Sequence, residues 1–248
     1  MVHAAMGRAG RLLNGPDALI AALLDASGPD GTVVAYTDWD ACYDKLLDRE
    51  GRVAEEWRVH VPPFDPSTSR AARDNGILAE FLRTWPGAGR SANPGASVAA
   101  VGAQAGWLTA DHPLDYGYGE GSPFAKLVAA RGKVLMVGAP LDTMTLLHHA
   151  EHLARIPGKR VRRSEVPLAT DAGTQWRMVG EIETSVPVVP GLPDDYFATI
   201  VAEFLATGQG VQELIGDAPS TAVDATPITA FAVAWLKRRF GRAPAGPG

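Results

Sequence analysis

The chain has 248 residues, 46% of them hydrophobic and 21% charged, with 23 Lys and Arg against 28 Asp and Glu for a formal net charge of -5. That makeup suits a soluble globular protein with a substantial core, and the excess of acid excludes bulk electrostatic attraction to nucleic acid or to an anionic membrane. The single cysteine, Cys42, excludes an intramolecular disulfide framework, fits a reducing cytoplasm and reads as an inert structural thiol. No apolar run approaches the roughly 18 residues that span a bilayer, and the first residues lack the regions of a signal peptide, so the cytosol is the expected compartment.

Residues 1–6 (MVHAAM) read as the end of a strand entering a loop, with most of that strand and a covering helix missing ahead of it. Apolar positions at helical spacing over 17–26 (DALIAALLDA), then a buried strand over 31–36 (GTVVAY), give the alternation of an α/β fold. A helix is expected over 75–84, stopped by Pro86 and Gly87. A second buried strand over 133–138 (KVLMVG) passes through Ala139-Pro140 into a helix over 145–156. The first turn of that helix would sit at the carboxyl end of the sheet, where α/β proteins place their sites. Further helices are expected over 194–206, with Asp194 as N-cap, and over 228–240, followed by a flexible tail over 242–248. The segments 37–68 and 90–122 are long and rich in Pro, Gly and Asp, so they are expected loops and candidate cleft walls. The expected architecture is a single α/β domain over 1–241, a central mixed sheet flanked by helices, with long loops forming the substrate cleft.

The densest chemical cluster is His148, His149, Glu151 and His152 on one predicted helix. Its H-x-x-E-H spacing matches inverted zinc peptidases, but a third ligand is not evident and no metal is expected. The plain structural alternative is a set of partly buried histidines packed on the sheet. The favoured reading makes His148 a general base with Glu151 one helical turn away to orient the ring.

Five carboxylates, Asp38, Asp40, Glu120, Glu181 and Glu183, fall in predicted loops or at strand ends. Each alone is a solvated surface acid, yet gathered on one wall they would suit a polycation. Tyr43 lies in the same loop as Asp38 and Asp40 and joins them as a candidate substrate contact. Arg90 and Ser91, with Asn93, could set a guanidinium and a hydroxyl against a phosphate. Ser122 also reads as an N-cap for a helix from Phe124, and Phe64-Asp65-Pro66 as a turn.

Taken in order, these stretches resemble the aminoglycoside 3-N-acetyltransferases. Residues 2–6 (VHAAM) resemble the family's V-H-A-S-L strand end and 62–68 (PPFDPST) its P-P-F-D-P-A-T stretch. Residues 90–97 (RSANPGAS) are similar to R-S-A-H-P-D-A-S, 119–123 (GEGSP) to the G-E-G-S-P turn, and 145–151 (TLLHHAE) to T-A-L-H-Y-A-E. Residues 157–160 (PGKR) resemble P-N-K-R, and 181–185 (EIETS) stand where the family has E-Y-D-S-N. The resemblance implies an α/β fold distinct from GCN5-type acetyltransferases, acetyl-CoA as donor, and the 3-amine of a deoxystreptamine ring as acceptor. It casts His148 as the catalytic histidine with Glu151, and Asp38, Asp40, Tyr43, Glu120, Glu181 and Glu183 as substrate-binding. His3, Ala5, Met6, Arg90, Ser91, Asn93, Ser122 and Phe124 are implied as acetyl-CoA-binding. This chain departs from the family pattern at Ala5 for Ser, Asn93 for His, Glu183 for Asp and Ser185 for Asn, and His152 has no family counterpart. The expected assembly is a monomer or homodimer. Acylation of another amine in natural-product metabolism, or a silent CoA- or aminoglycoside-binding paralogue, are the alternative functions.

Overall fold

The computed structural model describes residues 1–41 and 43–241. The readings of Cys42 as an inert thiol and of 242–248 as a flexible tail therefore fall outside the described residues. The strands are β1 (Val2–Ala4), β2 (Thr32–Tyr36), β3 (Gly89–Arg90), β4 (Val98–Gly102), β5 (Lys133–Val137), β6 (Val161–Thr170), β7 (Gly173–Ile182), β8 (Val211–Ile215) and β9 (Ala218–Asp224). Seven of them form one mixed sheet in the order β3-β4-β2-β1-β5-β9-β8, while β6 and β7 form a separate two-stranded hairpin. The middle of the sheet is parallel, with β1 between β2 and β5, and antiparallel strands extend it on both sides. The apolar runs of β2 and β5 belong there, because a strand covered on both faces has no solvent side to alternate with.

The helices are α1 (Gly15–Ser27), α2 (Glu55–Arg58), α3 (Ile77–Arg83), α4 (Ala105–Thr109), α5 (Pro123–Ala129), α6 (Leu146–Leu153), α7 (Tyr196–Leu205) and α8 (Ala225–Phe240). Leu19 and Ile20 of α1 and Leu78 and Leu82 of α3 pack with Val2, Val33, Ala35 and Val137 on one sheet face. Phe124, Leu146, Leu147, Ile200, Phe204 and Trp235 cover the other face with Val34, Val98, Val134 and Met136. β1, expected as the remnant of a strand, pairs with both neighbours and has α1 and α3 over the face that carries Val2. Among the described residues no helix is long and apolar enough to cross a membrane.

Several expectations change in detail. The segment 90–122 is not one loop, since it holds β4 and α4. α7 starts at Tyr196 with Asp195 at its N-cap, in place of the expected Asp194. α6 stops at Leu153, short of the expected 156. The residue before a proline is pushed out of helical geometry, and Pro157 follows closely. Lys159 Nζ also closes this end, donating to the carbonyls of Glu151 at 3.0 Å and His152 at 3.3 Å.

Candidate active site

The parallel register puts the carboxyl ends of β1, β2 and β5 side by side, so the chain leaves all three toward the same edge. From β5, Gly138 turns sharply at φ +60°, where a Cβ would stand 2.9 Å from that of Arg8. A 3-10 turn (Leu141–Thr143) then delivers α6, which carries the histidines. From β2 the chain reaches Asp38, a non-glycine residue held at φ +49°. Such a conformation persists only when its surroundings impose it. Here the Asp38 amide donates to the Ser97 carbonyl at 3.1 Å, and the Asp38 carbonyl accepts from Ser97 Oγ at 2.9 Å and from the Arg90 guanidinium. Arg90 also donates to the Ser69 carbonyl and to Ser97 Oγ at 3.2 Å, and lies over the Phe64 ring at 4.9 Å. Burial pulls the Arg90 guanidinium down to about 10, helped by Arg83 and opposed by nearby acids, and it stays a cation at neutral pH.

On α6, each histidine has its own partner. His148 Nδ1–H donates to Glu151 Oε2 at 2.7 Å, a direction fixed because a carboxylate only accepts. The His148 ring packs between Tyr118 (5.0 Å) and Phe197 (4.9 Å). His149 Nδ1–H donates to the Tyr118 carbonyl at 2.7 Å, and burial pushes its pKa down. His152 Nε2–H donates to Glu181 Oε1 at 2.8 Å. Tyr118 is itself fixed, its hydroxyl donating to the Gly95 carbonyl at 3.0 Å and accepting from the Tyr36 hydroxyl at 2.7 Å.

Two recesses share Thr184 as a lining residue. One is a cleft of about 220 Å³ whose walls include Asp38, Tyr43, Asp44, Arg162, Glu181 and Glu183. The other contains His148 with Ser185, Tyr196 and Phe197. Part of Asp38 faces the cleft, yet enclosure of its carboxyl raises the pKa to about 7. The Trp39 amide, the Tyr36 hydroxyl and Arg90 work against that rise, and Asp44 adds to it. Burial also acts to raise Glu183, but the hydroxyl and amide of Ser185, with Arg162 and Arg160, outweigh it and hold the carboxyl below its usual range. Glu183 Oε1 accepts from Ser185 Oγ at 2.6 Å and from the Ser185 amide at 3.0 Å.

A family model described as Aminoglycoside 3-N-acetyltransferase matches residues 1–237. The chain belongs to that family. It is 47% identical over 242 residues to the Aminoglycoside N(3)-acetyltransferase III of Pseudomonas aeruginosa, covering 97% of this chain and 88% of that protein. Among solved structures it is similar to an AAC-IIIb binary complex with CoASH, at 68% identity and a TM-score of 0.97, covering 99% of this chain and 91% of that one. It is also similar to AAC-VIa bound to sisomicin, at 34% identity and a TM-score of 0.92, over 98% and 91% of the two chains.

Within this aminoglycoside 3-N-acetyltransferase frame, the residues expected from the sequence separate into three groups. His148, Glu151, Asp38, Tyr43, Glu181 and Glu183 converge on the two recesses or support them. Asp40 instead pairs with Arg73 Nε at 3.0 Å, and Glu120 is exposed; neither lines the cleft, and Asp44 occupies the wall in their place. Tyr43 is largely buried, its hydroxyl donating to the Glu165 carbonyl at 3.1 Å.

The side chains expected at a phosphate have partners within the protein. Ser91 is fully buried, its hydroxyl accepting from the Val98 amide at 3.0 Å and donating to His112 Nδ1 at 2.8 Å. His112 in turn donates from Nε2 to the Gly117 carbonyl at 2.7 Å, and burial lowers its pKa to about 4. Asn93 donates to the carbonyls of Pro113 and Leu114 and accepts from the amides of Gly95 and Ala96. Ser122 caps α5, accepting from the Ala125 amide at 3.1 Å, and Phe124 is buried in the core. Ala5 and Met6 are half-buried at the carboxyl end of β1. The Nε2 atom of His3, in β1 itself, is buried with no hydrogen-bond partner among the described residues. Burial takes His3 down to about 3, so the ring is neutral.

One ring nitrogen of each of His148 and His152 pairs with a carboxylate and one of His149 with a carbonyl, which leaves one nitrogen of each ring without a hydrogen-bond partner among the described residues. Among the described residues no group of three or more His, Cys, Asp or Glu is arranged to hold a metal ion. Sequence reasoning missed Asp44, Arg162 and the second carboxylate–histidine pair. The only signal for them was that Asp44 shares a loop with Asp38, and that Arg162 follows the P-N-K-R-like turn.

Proposed function

We propose that this protein transfers the acetyl group of acetyl-CoA to the 3-amino group of the deoxystreptamine ring of an aminoglycoside, as the names of its relatives indicate for them. The observation that carries the reading is that the recess of His148 and a cleft walled by Asp38, Asp44, Glu181 and Glu183 share Thr184 as a lining residue. Four carboxylates around one opening repel one another until cations join them, which suits an acceptor bearing several ammonium groups. Residues 1–241 act as one domain in this reading, in line with the extent of the family match.

The donor supplies an activated thioester. An ammonium has no lone pair to attack it, so the acceptor nitrogen must shed a proton, and His148 Nε2 takes it. Glu151 holds Nδ1–H and thereby keeps Nε2 as the basic nitrogen and steadies the imidazolium once it forms. The new bond is from nitrogen to the acyl carbon, the carbon–sulfur bond breaks, the thiolate takes the proton from the His148 imidazolium to leave as CoASH, and the second amine proton passes to water. The carboxyl ends of β1 and β5 fit the donor, since His3 Nε2 is an unmet buried polar atom there and Ala5 and Met6 stay partly open. Arg90, Ser91, Asn93 and Ser122 fix the surrounding loops.

Measuring CoA release with a panel of aminoglycosides tests the reading. Turnover with deoxystreptamine drugs is expected. Binding of drug and acetyl-CoA without release would make the protein a silent paralogue, and release only with other amines would change the acceptor class.

A further inference from the structure

We infer that His152 is a positioning residue that aims Glu181 into the acceptor cleft, an inference that rests on the acceptor reading above. Its side chain is 10% exposed, and Nε2–H donates to Glu181 Oε1 at 2.8 Å. The same oxygen accepts from the Ile182 amide at 2.7 Å, so Oε1 is fully engaged and Oε2 is left for a ligand. The imidazole is packed by its neighbours. Tyr116 stands edge-on to it at 5.9 Å and Tyr118 lies at 6.4 Å. Behind it, Gly119 brings bare backbone so close that a Cβ would lie 3.1 Å from His152 Nδ1.

Glu181 needs such a tether. It sits on β7 of the separate hairpin, directly opposite Arg162 of β6, and both line the cleft. Side chains opposite one another on a hairpin come within reach of each other. Even so, among the described residues Arg162 makes no ion pair within 4 Å. His152, anchored on α6 of the main body, keeps Glu181 turned from Arg162 and available to an ammonium. It also ties the hairpin to the helix that carries His148, and so fixes the distance from the acidic wall to the base.

The test is a double-mutant cycle read by calorimetric titration with sisomicin and by steady-state acetyl transfer to it. His152→Ala is expected to weaken sisomicin binding about tenfold, the worth of one hydrogen bond to a charged group, with kcat changed less than about twofold. His152→Gln, which keeps a donor, is expected to recover most of that loss. In a Glu181→Gln background His152→Ala is expected to add less than about twofold. Losses that multiply in full in the double variant, or a fall in kcat with unchanged affinity, would overturn the inference. The two readings fail separately: a wild-type chain that binds sisomicin but transfers no acetyl group counts against the activity, while the binding cycle still decides the pair.

Discussion

His148 Nδ1 lies 2.7 Å from Glu151 Oε2, three residues further along α6, and the Glu151 side chain is only 2% exposed. A buried carboxylate that close fixes which ring nitrogen carries the proton. His148→Ala is expected to lower kcat by about two to four orders of magnitude while acetyl-CoA affinity changes little. Glu151→Gln is expected to lower kcat by about tenfold or more through loss of the charge that supports the imidazolium. His149→Ala and His152→Ala leave this pair intact and should cost far less turnover. Steady-state kinetics with metal analysis checks this, and equal loss in all three histidine variants together with stoichiometric zinc would replace the base by a metal site.

Glu181→Gln and Glu183→Gln each remove one charge facing the acceptor. Each is expected to weaken deoxystreptamine drugs by about 1.5 to 3 kcal/mol where the contact is shielded, and by less where it is wet. The loss should grow at low ionic strength, where salt screens least. Unchanged affinity for both variants in low-salt calorimetry would remove these residues from the site.

Asp38 gives the cleft a pH dependence whose sign follows from its raised pKa. Below about 7 the carboxyl is protonated and offers an ammonium no charge, and above it the carboxylate does. A cation bound beside it favours the charged form, so drug affinity should tighten as pH rises through about 7, and binding below that pH should release a proton. Asp38→Asn should flatten this part of the profile. A wild-type affinity profile already flat between about pH 6 and 8 would sink the assignment.

Glu165 anchors the hairpin to the loop before it. Its carboxylate is 8% exposed, accepts from Arg58 Nη2 at 2.9 and 2.8 Å, and takes the Val53 amide at 3.0 Å. Removing Glu165 leaves Arg58, a quarter exposed, with Glu55 at 3.5 Å, the Val53 carbonyl and water to recover part of the cost. Glu165→Ala is therefore expected to cost about 3 kcal/mol, at the low end for a broken buried pair. For a chain of this size that is a fall of roughly 6 to 12 °C in Tm. Thermal melts decide it, and an unchanged Tm would show that the pair contributes nothing net.

The parts of this molecule legible in its sequence are those with local patterns. α1, β2, β5 and α6 carry apolar periodicity within a dozen residues, and the motifs around His148 and Glu181 single out residues that line the two recesses. β4 was hidden because its VAAVG run is short and alanine-rich, although four of its five residues are buried. β6 was hidden by Arg162, Arg163 and Pro167, residues that suit an edge of a two-stranded ribbon and interrupt any reading as a core strand. Arg90 shows the deeper limit. A guanidinium in a loop looks like a phosphate contact, but its partners are the carbonyls of Ser69 and Asp38, 21 and 52 residues away in sequence, and such pairings exist only after folding.

The acidic cleft is assembled from two bodies that share no strand pairing: the seven-stranded sheet presents Asp38 and α6, and the β6–β7 hairpin presents Glu181 and Glu183. They are joined by side-chain ties such as His152–Glu181 and Asp115 Oδ1 to the Gly180 amide at 2.7 Å. One wall of the cleft and the His148–Glu151 pair therefore lie on different parts of the chain. Substitutions along the hairpin can open, narrow or tilt one wall of the cleft without touching the His148–Glu151 pair. On the acceptor reading proposed above, the two ten-residue strands of this ribbon are where the cleft can change shape while the reacting pair stays as it is.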